Sequence, residues 1–251
     1  MASSLRSNTA YFIVTFVAYP AAGLAAGWAL SRTPGAGVPG VVRLLLLLQC
    51  VVLGCMVPFF GSARNGSTPI RAAAATLLRA CGVIAAAGLT AAVLSLVLAG
   101  RAPVWWIVRS AWILAGFSLL LAGVVVLAGR LGACAHGRAL AAYAVAALML
   151  GTVFYANPAV AATSGRAKLA VIQTAVAANP VLCVAGSALD YDILTSRRRG
   201  ASLYDLSLIG PDHLYRYPRW WAIGGGYGIV GCLFSAASLL GVPKRPKENE
   251  E

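Results

Sequence analysis

Read as apolar and polar positions, the chain is a succession of long apolar runs separated by short polar breaks. The runs come in blocks of about 20 residues, the length a helix needs to cross roughly 30 Å of hydrocarbon at 1.5 Å per residue. Inside hydrocarbon the backbone has to satisfy its own hydrogen bonds, so such blocks fold as helices. The pattern predicts an all-α, polytopic transmembrane helix bundle forming a single domain over residues 1–251. Six spans are expected, at about 11–30, 41–60, 80–98, 104–128, 140–162 and 221–241.

Local signals refine these spans. Pro20 falls in the middle of the first and predicts a kink. Gly23 and Gly27 give that span a small-residue face for close packing against a neighbour. Residues 31–40 are rich in Gly and Pro and read as a turn. Arg43, at the start of the second span, is placed to snorkel to the interface. Thr68 and Pro69 read as an N-cap and a first-turn proline. The stretch after them, carrying Arg71 and Arg79, reads either as a short helix lying along the membrane surface or as an early extension of span three. Trp105 and Trp106 open the fourth span as interface anchors, and Arg109 lies about one turn further in.

Residues 169–220 read as a re-entrant or interfacial segment. The part 169–189 is apolar enough to span, but Gln173 and Asn179-Pro180 interrupt it. Pro180 lacks a backbone donor and biases Asn179 away from the helix, which predicts two short helices meeting at that pair. If 169–189 crosses completely, the spans number seven. Tyr204, Tyr215, Tyr217, Trp220 and Trp221 suit the headgroup layer. In the last span Gly224, Gly228 and Gly231, with Ser235, share one face and predict close helix packing. The tail 243–251 reads as disordered.

Composition narrows the class. Of the residues, 60% are hydrophobic and 11% charged, too few polar groups to cover a soluble domain. The net charge is +13, and every acidic residue lies at or beyond Asp190. Ion-coupled carriers commonly place Asp or Glu inside the bilayer, so this distribution points away from them. The basic residues sit at the ends of apolar runs, as membrane-edge anchors facing the lipid bilayer rather than nucleic acid. With six spans and a cytoplasmic N-terminus, nine basic residues lie inside and four in the short outer loops, the long 163–221 segment left out; seven spans give eleven against nine. The first count favours a multi-pass protein of the plasma (inner) membrane with both termini cytoplasmic.

Candidate chemistry is sparse. There is neither a P-loop nor an HExxH motif, and the six cysteines show no CxxC spacing. Cys134 and His136 are close in sequence, but two ligands do not make a zinc site. No catalytic residue, cofactor or metal is expected, and the chain reads as a non-enzyme. Asp190, Asp192, Asp212 and His213 fall in one loop and would serve acid–base work in a third reading, a membrane enzyme.

The layout of six spans, a short surface helix between the second and third, and an Asn-Pro-containing re-entrant segment before the last resembles the permease (membrane-spanning) subunits of type-two ABC exporters. In that family the loop between spans two and three often reads as an acidic residue, Gly-Thr and a Leu-rich helix, and docks on the ATPase. The matching stretch here is Arg64-Asn65-Gly66-Ser67-Thr68 leading to Leu77-Leu78, with the Gly and Thr roughly kept and the acid absent. The resemblance implies a permease subunit of an ATP-driven exporter, working as a homo- or heterodimer with a separate P-loop ATPase. Arg64, Gly66, Thr68 and Arg71 would contact that ATPase, and Asn179 and Pro180 would form an outer gate. A non-catalytic structural subunit of a larger membrane complex is the alternative, with 189–221 as its docking surface.

Overall fold

The computed structural model describes residues 11, 13, 15, 17, 19–32, 38–62, 69–97, 104–194, 208–209 and 215–240. Among them every regular element is a helix: α1 (Tyr19–Ser31), α2 (Val38–Ser62), α3 (Pro69–Val97), α4 (Val104–Arg130), α5 (Ala135–Leu150), α6 (Thr152–Tyr155), α7 (Asn157–Ala162), α8 (Gly165–Ala178), α9 (Pro180–Cys183), a widened turn Val184–Ala188 continuing α9, and α10 (Trp220–Leu240). Three stretches are long and apolar enough to cross a membrane: Gly40–Pro58, Val104–Arg130 and Trp220–Ser238. Two bent pairs, Ala135–Leu150 with Thr152–Ala162 and Gly165–Ala178 with Pro180–Ala188, raise the number to five if each is one span. Among the described residues the protein is therefore all-helical, with three to five helices suited to a bilayer.

One local reading is decided and another changes. Of the two readings of the stretch after Pro69, the early extension of the third run holds, because α3 is one helix of 29 residues from Pro69 to Val97 and among the described residues no separate surface helix precedes it. Its first turns are rich in alanine, the best helix former, and nothing between Arg71 and Ala80 interrupts the backbone ladder. The run expected as a single span over 140–162 starts at Ala135 and is bent by 65° near Gly151. Gly151 weakens the helix there, and Asn157-Pro158 starts a fresh one.

Helix α4 is the hub. Its Ile113, Leu114, Phe117 and Leu121 are fully buried and join Leu46 and Leu53 of α2 and Val83 of α3 in the main core. Helices α4 and α10 run parallel: Trp112, Gly116 and Gly123 face Trp221, Gly224 and Gly231 in the same order. Helix α3 runs antiparallel to α4, with Gly88 facing Ile107 and Cys81 facing the Trp112–Ala115 turn. The starts of α2 and α4 meet where Arg43 lies over Trp106. A second, smaller core forms around the bent pairs, from Val153, Val160, Ile172, Val176, Leu182, Leu194 and Ile209.

Candidate functional site

The two bends meet, and side chains close the gaps they open in the backbone ladder. A helix that stops leaves up to four carbonyls without partners, and in apolar surroundings each needs a donor. Helices α8 and α9 meet at 84° on Asn179, whose backbone is extended (φ −91°, ψ 110°). The Asn179 side chain serves both bends: its oxygen accepts from the Leu182 N–H (3.1 Å), capping α9, and its Nδ2 donates to the Leu150 carbonyl (2.8 Å) at the end of α5. Both Asn179 and Pro180 are buried.

The carbonyls at the end of α8 are taken in turn. The Thr152 hydroxyl, just past the other bend, donates to Ala175 (2.9 Å). The Cys183 thiol donates to Val176 (3.3 Å), and the Tyr227 hydroxyl reaches across from α10 to Ala177 (2.8 Å). The Tyr227 ring packs against Phe117 of the main core, 6.2 Å between centroids. One bend cannot open without breaking bonds to the other, so the two bent pairs and α10 form one mechanical unit. Beside the junction lies a groove of about 540 Å³ lined by Leu148, Met149, Thr152, Tyr155, Val171 and Thr174, among others.

The stretch 215–219 is strapped across this unit. The Asp192 carboxylate accepts from the Tyr215 hydroxyl (2.8 Å), the Tyr217 hydroxyl (2.7 Å) and the Leu194 N–H (3.0 Å). The Tyr217 ring lies on Gly186, where a Cβ would overlap it. Burial first, and then the adjacent Asp192 carboxylate and Tyr215, hold the Tyr217 phenol well above the usual tyrosine range, so it stays a donor. The Ser187 hydroxyl donates to the Pro218 carbonyl (2.6 Å). The Gln173 amide pairs with the backbone of Arg216, donating to its carbonyl (3.0 Å) and accepting from its N–H (2.6 Å). Just past the widened turn, Asp190 lies in the left-handed region at φ 50°, and the Tyr191 N–H donates back to the Ala185 carbonyl (2.9 Å).

The residues singled out in the sequence fall in different places. Arg64, Gly66 and Thr68 lie outside the described residues, and Arg71 lies in the first turn of α3. Asp212 and His213 also lie outside the described residues, while Asp190 pairs with Arg109 at 3.7 Å. Gly23 of α1 faces Thr90 of α3, and Gly27 lies one turn further along α1. Gly224 approaches Trp112 and Gly116 of α4, while Gly228 makes only ordinary contact with Leu119, at 3.8 Å. Among the described residues no three His, Cys, Asp or Glu side chains come together as metal ligands. Sequence reasoning missed Thr152, Tyr227 and the Asp192–Tyr215–Tyr217 cluster. Gly151-Thr152 is a local signal for the first, whereas pairings across 23 to 50 residues leave none. Comparison with known protein families, curated proteins and solved structures finds no match.

Proposed function

We propose that the chain is the membrane-spanning, permease-like subunit of an ATP-driven, ABC-type exporter, working as a dimer with a separate P-loop ATPase. It would cross the plasma membrane six times with both termini in the cytoplasm. The observation that carries this reading is the helix pair bent by 84° on Asn179, directly before the final long helix and bonded to a second bent pair. Broken helices are tolerated at membrane depth only where protein covers their exposed backbone, and here four side-chain donors do so. In mechanism, the ATPase pushes on the 64–79 stretch. Because α3 is one continuous helix, the push moves its whole length. The linked bends then shift together and open the outer end of a path between two subunits.

The test is affinity purification of the chain from its native membrane. A P-loop ATPase is expected to accompany the wild-type chain and to be lost when 64–79 is replaced by a linker. Recovery of the chain without any ATPase would overturn the reading. A structural subunit of a larger complex is the second reading, favoured by α10, of whose apolar stretch only 17% is buried. Purification in fixed ratio with non-ATPase proteins would select it.

A further inference from the structure

The end of the bundle where α2 and α4 begin holds a cation that has no acidic partner among the described residues. Arg43 lies in the second turn of α2. Its guanidinium carbon is 4.5 Å from the centroid of the Trp106 ring and 5.2 Å from that of Tyr191. The three groups come from α2, α4 and the turn after the second bend, so only the tertiary fold assembles them. Trp106 is 8% exposed and belongs to the main core, which fixes one wall of the site.

The Arg43 side chain is half-buried, and its Nε is buried with no hydrogen-bond partner. Among the described residues no carboxylate is within ion-pair distance of it. Asp190 faces Arg109 instead, and the Asp192 oxygens are occupied by Tyr215, Tyr217 and the Leu194 N–H. Partial burial of a guanidinium is unfavourable, and two aromatic rings offset only part of the cost. An Arg held by rings keeps its N–H edges for a ligand, and its planar fork of donors matches two oxygens of a phosphate. The depth also fits: tryptophans at a helix start mark the level where headgroups meet hydrocarbon. Arg109, one turn beyond Trp106, adds a second positive charge, and its 3.7 Å contact with the largely exposed Asp190 is loose enough to exchange.

We propose that Arg43, walled by Trp106 and Tyr191, is a binding site for a phosphate-bearing anion, supplied at this level by a phospholipid headgroup or by free phosphate. The site does not depend on the chain having an ATPase partner. The full-length protein in phosphate-free maltoside micelles is titrated with short-chain phosphatidylglycerol and, separately, with inorganic phosphate, following tryptophan fluorescence and thermal stability. Saturable binding of phosphatidylglycerol is expected, weakened about tenfold by Arg43→Gln through loss of a charge-assisted hydrogen-bonding group. Arg43→Lys keeps the charge but not the fork, so it should bind several-fold more weakly. It also decides the matter should Arg43→Gln not fold. Binding of the lipid alone assigns the site to a headgroup, and equal binding of inorganic phosphate at the same residue assigns it to a free anion. Binding of neither probe, or binding that both Arg43 variants retain at wild-type strength, would overturn the proposal.

Discussion

The α4–α10 contact can be tested with one substitution made at two kinds of glycine. A Cβ on Gly116 would overlap the Gly224 carbonyl oxygen and lie 2.9 and 3.0 Å from its carbonyl carbon and Cα. One on Gly123 would do the same to Gly231, with its Cα at 3.0 Å. Real Cβ atoms do not come that close to backbone, and backbone cannot rotate away as a side chain can. Overpacking usually costs 1–3 kcal/mol, and a rigid obstacle places Gly116→Ala at about 3 kcal/mol. Alanine recovers about 1 kcal/mol as the better helix former, leaving a net loss of about 2 kcal/mol. Gly226, on the same helix as Gly224, has nothing within 4 Å of its would-be Cβ. There the same change keeps the helix-propensity gain of up to about 1 kcal/mol and meets no obstacle. The two variants should therefore differ by about 3 kcal/mol and in sign, the sum of those two terms. Unfolding by SDS titration in mixed micelles, followed by circular dichroism, measures both. If Gly116→Ala and Gly226→Ala moved stability in the same direction by similar amounts, the parallel close packing of α4 on α10 would be refuted.

Asn179→Ala removes a helix cap and strands the Leu150 carbonyl, for a loss of about 2–4 kcal/mol; Asn179→Asp keeps the cap acceptor but not the donor and should lose about half as much. Hydrogen exchange at Leu182 and around the Gly151 bend separates the two effects, and a bend at Gly151 unaffected by either variant would break the proposed coupling. Tyr217 has a folded-state phenol pKa above its unfolded value, so its contribution is complete below about pH 10 and is lost as the pH rises toward the folded value. Thermal stability of the wild type should accordingly fall faster than that of Tyr217→Phe above about pH 10, and parallel curves would contradict this. Asp190 occupies a left-handed conformation, so Asp190→Gly should be neutral or mildly stabilising while Asp190→Val costs about 1–2 kcal/mol, read as shifts in unfolding midpoint. Reporter fusions at Gly200 and at the C-terminus are expected outside and inside the cytoplasm respectively, and the reverse assignment, with Gly200 cytoplasmic and the C-terminus outside, would reject six spans in favour of seven.

Much of the architecture is local and could be read from residue order. Asn179-Pro180 marks a bend because a proline's missing N–H and its clash with the preceding residue act wherever the chain is placed. The bend near Gly151 carried no comparable mark, since a lone glycine in an apolar run is as readily kept inside a continuous helix. Residues 70–79 had the same alanine-rich propensity under either reading, and continuity with α3 decided between them. The face of Gly224 and Gly231 was visible in its spacing, but spacing cannot say which helix comes to it. Gly116 and Gly123 of α4 meet it because they repeat the same seven-residue interval in a parallel helix.

What the sequence alone determined is that long apolar runs fold as helices: hydrogen bonding to neighbours four residues away is the one solution available to a backbone without water, and it needs no distant partner. What only the tertiary structure decided is which breaks and charges face one another. Asn179 reaches Leu150, Tyr227 reaches Ala177, Tyr217 reaches Asp192 and Arg43 lies between Trp106 and Tyr191. Each pairing joins residues at least 25 positions apart, and whether such groups meet depends on how whole helices pack, which no local pattern encodes.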